Sequence, residues 1–145
     1  MRGGHEGLFL PAGARGGGTH GGPLLVCERP TDTAALLDMG FAGAVGRPSC
    51  TGGTKLLVEL VRLRRPAHLV VAADGDVPGQ RGADNLASVL LAYAPTVRVI
   101  APPDGVKDMR AWLRAGGTRQ DVERTIEAAP VRRLRIRATT EGMRL

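Results

Sequence analysis

The apolar positions of this chain fall into short blocks separated by glycine, proline and charge. Leu24-Leu25-Val26-Cys27 is continuous, bounded by Pro23 and Pro30, and too short for a helix. Such a run fits a strand buried on both faces, as in a parallel sheet. A helix should follow from near Thr31, with Ala34, Ala35, Leu36, Leu37 and Met39 as its apolar face and Gly40 as its stop. The same alternation continues: a strand over 42–45, a loop over 46–53 and a helix over 54–63, then a strand over 68–73, a loop over 74–79 and a helix over 81–93. Leu86, Val89, Leu90 and Tyr93 hold helical spacing in that last element. A fourth strand is expected over 96–101, a helix over 107–115, and a final helix over 119–128 that Thr118 caps and Pro130 ends.

Strand and helix alternate four times, which predicts an α/β fold. Its centre is a mainly parallel four-stranded sheet, flanked by helices on both faces and joined by right-handed crossovers. No internal repeat is visible. Three segments are expected: a Gly-rich flexible lead-in over 1–22, the folded domain over 23–130, and a basic tail over 131–145. Within the lead-in, Gly7-Leu8-Phe9-Leu10-Pro11 suits an edge strand or a docked loop, and 15–22 reads as a linker. The tail alternates apolar and basic residues over 131–137, which suits either a strand or a continued helix.

At 145 residues, 43% of them hydrophobic, the chain has room for one domain with a real core. Aromatics are only 3%, so that core must be aliphatic. The formal charge of +6 invites a polyanion partner, because Lys and Arg neutralise phosphates and release counterions. Eighteen of the 20 basic residues are Arg, however, and with abundant Ala, Gly and Pro this also fits the codon bias of a GC-rich genome. Cys27 and Cys50 form no CxxC pair, and His5, His20 and His68 are scattered, so zinc is not expected. Cys27 reads as a small core residue. No apolar stretch approaches the roughly 18 residues of a membrane span and no signal peptide is evident. The expectation is a cytoplasmic protein with no membrane partner.

Carboxylates change this picture. The third apolar run, Val70-Val71-Ala72-Ala73, ends on Asp74-Gly75-Asp76, and the first ends on Glu28. Open α/β sheets bind ligands outside the carboxyl ends of their strands, where strand order reverses. In a 2-1-3-4 order the first and third strands are neighbours, which brings Glu28, Asp74 and Asp76 together if Gly75 lets the backbone bend. Three close carboxylates repel unless a cation compensates. Oxygen-only ligands favour Mg²⁺ or Mn²⁺, which suits phosphoryl transfer. Taken singly, Asp74 and Asp76 also suit turns and helix caps. Asp32 either complements a helix N-terminus or joins the cluster. Asp108 caps its helix or adds to the acids, and Lys107 is either solvated or a phosphate contact. Gly52-Gly53-Thr54-Lys55 lacks the Walker A order, though a glycine-rich helix start binds anions, with Arg47 and Lys55 at hand.

The runs Leu25-Val26-Cys27-Glu28-Arg29-Pro30-Thr31-Asp32-Thr33-Ala34-Ala35-Leu36 and Asp74-Gly75-Asp76-Val77-Pro78-Gly79 resemble a Toprim domain, most closely the bacterial DnaG-type and phage or plasmid primases. Gly7-Leu8-Phe9-Leu10-Pro11, the glycine loop, and Pro103-Asp104-Gly105-Val106-Lys107-Asp108 carry the likeness further, over about residues 7 to 128. The resemblance implies a Toprim, Rossmann-like fold with Glu28 as general acid/base or metal ligand. It makes Asp74 and Asp76 a metal pair for Mg²⁺ or Mn²⁺, and Asp32 and Asp108 accessory acids. Arg29 stands where the family usually carries Gly, next to the site, where it pairs with Glu28 or meets a phosphate. The upstream zinc module and basic subdomain of such primases have no counterpart in these residues. The function expected is nucleotidyl transfer on a DNA template, with DNA and nucleotides as partners and a zinc-binding module or helicase supplying further parts. Two alternatives use the same fold. One is a nuclease hydrolysing phosphodiesters; the other is a non-catalytic nucleic-acid or protein-binding module, with Arg62, Arg64, Arg65 and the basic tail carrying affinity.

Overall fold

The structure, a computed structural model, describes residues 7–11 and 22–135. Four strands form one sheet: β1 (Leu24–Glu28), β2 (Ala44–Arg47), β3 (Leu69–Ala72) and β4 (Val97–Ile100). Their order is β2-β1-β3-β4 and every pairing is parallel. This is the α/β sheet expected from the sequence, with the first and third strands side by side. The period-2 geometry of a strand sorts the core. Leu24 and Val26 face one layer, built with Leu57 and Val61 of α2 (Thr54–Arg64) and Leu86 and Leu90 of α3 (Val77–Leu90). Leu25 and Cys27 face the other, built with Leu36 of α1 (Pro30–Asp38), Trp112 of α4 (Met109–Arg114), and Val122 of α5 (Arg119–Ala128).

Both edge strands are covered, which removes a template for pairing with other chains. Phe9 and Gly46 exchange two backbone hydrogen bonds of 2.8 and 2.9 Å, so the short apolar lead-in piece docks on β2 as an antiparallel bridge. Arg132 does the same to Val97 on β4, with bonds of 2.8 and 3.0 Å. The tail thus begins neither as a full strand nor as a continued helix. Residues 136 and 137, and 15–21 of the expected linker, lie outside the described residues.

Three elements depart from expectation by two residues or more, α4 among them, which starts at Met109 rather than 107 because Asp108 caps it. The second strand lies at Ala44–Arg47 rather than 42–45, because the ladder runs past the apolar run: Arg29 N–H donates to the Arg47 carbonyl at 2.9 Å. The third helix starts at Val77 rather than 81 and ends at Leu90 rather than 93. Val77-Pro78-Gly79 resembles a loop, yet Pro is tolerated in a first helical turn, where its missing N–H is no loss. Asp76 completes the start by accepting a 2.7 Å hydrogen bond from Gly79 N–H. Tyr93 therefore falls beyond the helix and is exposed. No described helix is long and apolar enough to cross a membrane.

Candidate active site

The parallel register fixes the carboxyl edge of the sheet. Cys27 lies opposite Ala72, so Glu28 comes level with Ala73 and one residue short of Asp74. Ala73 N–H still bonds to Ile100 O at 2.8 Å, which carries β3 to the brink of the acidic loop. Gly75 N–H then donates to the Lys107 carbonyl at 2.7 Å, tying this loop to the one before α4. Gly75 is needed for space rather than for an unusual backbone angle. A Cβ there would stand 2.5 Å from the Val106 carbonyl oxygen. Gly79 is a second close approach, where a Cβ would meet that of Asp74 at 2.6 Å.

The acids divide by what already holds them. Asp76 caps α3 through Oδ1, and Asp108 caps α4 through a 2.8 Å bond from Ala111 N–H. Asp32, in the first turn of α1, is 1% exposed; its Oδ1 accepts from Arg110 N–H at 3.1 Å, while its buried Oδ2 has no partner. Among the described residues Glu28 and Asp74 accept no hydrogen bond. Both instead face Arg29, whose guanidinium is 3.6 Å from Asp74 Oδ2 and 4.0 Å from Glu28 Oε1.

These placements perturb the carboxyls. Asp74, buried at 4% exposure, is pushed up to about 7, chiefly by burial and then by the charges of Glu28 and Asp32, with Arg29 pulling the other way. Asp32 is pushed up to about 6, again chiefly by burial; the Arg110 hydrogen bond opposes this, and Asp108 adds to it. Strong burial plus like charge at a sheet edge marks these carboxyls as a candidate functional cluster.

Arg29 is held in an unusual backbone state, φ 70° and ψ 150°. That lies at the border of a region populated almost only by glycine, and costs a side-chain-bearing residue about 1–3 kcal/mol. The surroundings impose it. Arg29 N–H is bonded into the β2 ladder, and its carbonyl accepts from Thr33 Oγ1 at 3.0 Å as α1 begins. In the sequence, Arg29 shows only as a residue out of pattern; its bridge to Asp74 depends on a dihedral that no motif displays.

The other basic candidates sit differently. Arg47 is buried and directs Nε to Gly52 O at 2.9 Å and a terminal nitrogen to Thr54 Oγ1 at 3.2 Å, so it braces the glycine loop from inside. Burial lowers its pKa. Lys55 is exposed in the first turn of α2, and Lys107 is exposed beside the acidic loop, with its carbonyl serving Gly75. Cys27 is a core residue, as expected, and burial pushes its thiol up to about 12.

The donors suit a hard divalent cation. They are all oxygen, two of them lack hydrogen bonds and already attract a guanidinium, and the Asp32 oxygen is buried and unpartnered. Among the described residues no three acidic, His or Cys side chains are close enough to share one ion. Mg²⁺ does not require three, because it commonly takes one or two carboxylates and completes its shell with water and phosphate oxygens.

The chain is similar to solved primase structures. A DnaG catalytic core aligns with a TM-score of 0.63 and 26% identity over 75% of this chain and 35% of that one. The fold is of the DnaG primase type. A DnaG primase catalytic domain bound to single-stranded DNA aligns at TM-score 0.61 and 26% identity, covering 75% of this chain and 34% of that one. The Aquifex aeolicus primase, containing zinc-binding and RNA polymerase domains, aligns at 0.65 and 18%, covering 77% and 27%. The chain therefore spans about a quarter to a third of the length of these primase chains. No family model matches it, and no curated protein sequence does.

Proposed function

We propose that the chain is a Toprim domain of primase type, and that it supports metal-dependent nucleotidyl transfer on a DNA template. The observation that carries this reading is the meeting of Glu28 and Asp74, whose carboxylates accept no hydrogen bond among the described residues, at the carboxyl edge of a 2-1-3-4 parallel sheet of primase type. Glu28 and Asp74 are the residues that would hold Mg²⁺ or Mn²⁺, with Asp76 beside them at the head of α3. A divalent ion there supplies Lewis-acid polarisation of phosphate oxygens and charge stabilisation. Glu28, less buried than Asp74, takes up the proton of the attacking hydroxyl. Asp32 and Asp108 deepen the negative potential that retains cations. Lys55 and Lys107, both exposed, are placed to meet phosphates.

A zinc-binding module, a helicase, or both complete template engagement in this reading. The test is primer synthesis from nucleoside triphosphates on single-stranded DNA with Mn²⁺ or Mg²⁺, with and without a primase zinc-binding module added. Product is expected from the wild type with the module, and loss of at least about a hundredfold in Asp74→Ala and Asp76→Ala, the scale of removing a charge-stabilising group. Product unchanged in both variants refutes the metal mechanism. Metal-dependent cleavage of the template without synthesis replaces it with the nuclease reading. Salt-sensitive DNA binding with neither reaction replaces it with a binding module.

A further inference from the structure

We propose that Arg29 is a tethered cation that occupies the divalent-metal position between Glu28 and Asp74, and that a metal ion enters only by displacing it. The inference deepens the metal reading above and rests on it.

Four observations carry the argument. First, the guanidinium bridges the two carboxylates that no hydrogen bond holds among the described residues, at 3.6 and 4.0 Å. Those separations are ion-pair distances without the geometry of hydrogen bonds, so the contact is the kind that can be exchanged. Second, the Arg29 side chain is 45% exposed, which leaves it a route outward into solvent. Third, the backbone around it cannot retreat. The ladder bond to Arg47 on one side and the Thr33 bonds on the other hold a conformation that glycine would adopt without strain. Exchange must therefore proceed by rotation of the side chain. Fourth, one guanidinium does not neutralise the cluster. Asp32, 1% exposed, has an oxygen without a partner and lies within the electrostatic reach of Glu28, Arg29 and Asp108. A doubly charged ion compensates the group better than one positive charge does, and that difference drives the exchange.

The consequence is a site that binds free metal more weakly than the carboxylates alone would. Near-half exposure screens the ion pair and limits the competition to about tenfold in metal affinity, or about 1.4 kcal/mol. The guanidinium, once displaced, lies next to the incoming ion and is available to any phosphate that arrives with it.

The experiment measures Mn²⁺ affinity by electron paramagnetic resonance of the free ion, on the whole chain without nucleotide or DNA. Wild type is compared with Arg29→Gly, Arg29→Gln, Arg29→Lys and Asp74→Asn, each checked for folding by circular dichroism. Arg29→Gly and Arg29→Gln are expected to bind Mn²⁺ about tenfold more tightly, and Arg29→Lys to stay close to wild type. Gln removes the charge but keeps the backbone state, so it separates electrostatic competition from relief of strain. Tightening in Gly alone overturns the proposal in favour of a backbone effect. Equal affinity in all Arg29 variants, with weakened binding in Asp74→Asn, overturns it and leaves the metal site standing. No Mn²⁺ binding by any of the proteins, Arg29→Gly included, overturns the metal reading and this inference together.

Discussion

Neutralising Asp74 should make the protein more stable at pH 8 and leave it no more stable at pH 5. In the folded chain this carboxyl is pushed up to about 7 from its ordinary 3.8, so between those values the folded state holds a proton that the unfolded state releases. Stability therefore falls as pH rises from about 4 to about 7, and is flat above. The difference of about three pH units sets a ceiling of about 4 kcal/mol on what the ionised group costs at pH 8. Asn keeps the shape and removes the charge, and the opposing pull of Arg29 is already contained in the value of about 7. Asn also buries an amide with no hydrogen-bond partner among the described residues, at about 1–2 kcal/mol. The net expectation for Asp74→Asn is a gain of at most about 2–3 kcal/mol at pH 8 and a small loss at pH 5. Urea unfolding followed by circular dichroism at both pH values gives the answer, with the difference between the two proteins isolating this group. Parallel pH dependence in wild type and variant would refute the reasoning, because it would mean that Asp74 ionises in the folded chain as it does in water.

Gly75→Ala should cost about 2–3 kcal/mol and weaken Mn²⁺ binding along with stability, since the new methyl collides with the Val106 backbone carbonyl and strains the bond from Gly75 N–H to Lys107 O; a loss below about 0.5 kcal/mol in urea unfolding would show that the two loops are not held together there. Asp108→Ala should lose about 1 kcal/mol of helix capping, whereas Asp108→Asn keeps the cap and removes a charge that raises both Asp32 and Asp74. Thermal unfolding at pH 8 should therefore rank Asn at or above wild type and Ala below it, and equal losses would refute the split between capping and charge.

Much of the architecture was legible because local and global signals agree. Pro23 and Pro30 bracket the first strand, Thr118 caps the last helix as expected with Asp121 completing the box, and the acids at two strand ends fit only if those strands are adjacent. The start of α3 was hidden because Val77-Pro78-Gly79 carries the composition of a turn. The residues are there for other reasons: Pro78 fits a first turn, and Gly79 makes room for Asp74. Arg47 and Lys107 show a different limit. Both lie on the active edge in sequence, but which partner a guanidinium or a carbonyl finds is decided by tertiary register, and here Arg47 turns inward to Gly52 and Thr54. Arg29 was visible as an exception to a pattern, and only its dihedrals and its distance to Asp74 say what the exception does.

The five carboxylates are not equivalent, and their inequality bears on how the site works. Asp76 and Asp108 each commit an oxygen to a helix N-terminus through bonds of 2.7 and 2.8 Å, and Asp32 commits one to Arg110. Moving any of these costs a charge-assisted hydrogen bond and disturbs an element of the fold. Glu28 and Asp74 carry no such commitment; a half-exposed guanidinium is their only close partner among the described residues. Fixed acids set the potential, and uncommitted ones are left to exchange ligands. The strained peptide at Arg29 fits this division, because it lies in the link that joins Glu28 to α1 and Asp32. With the ladder fixing one side of that link and Thr33 the other, exchange at the centre changes side-chain partners without moving the sheet or the helix.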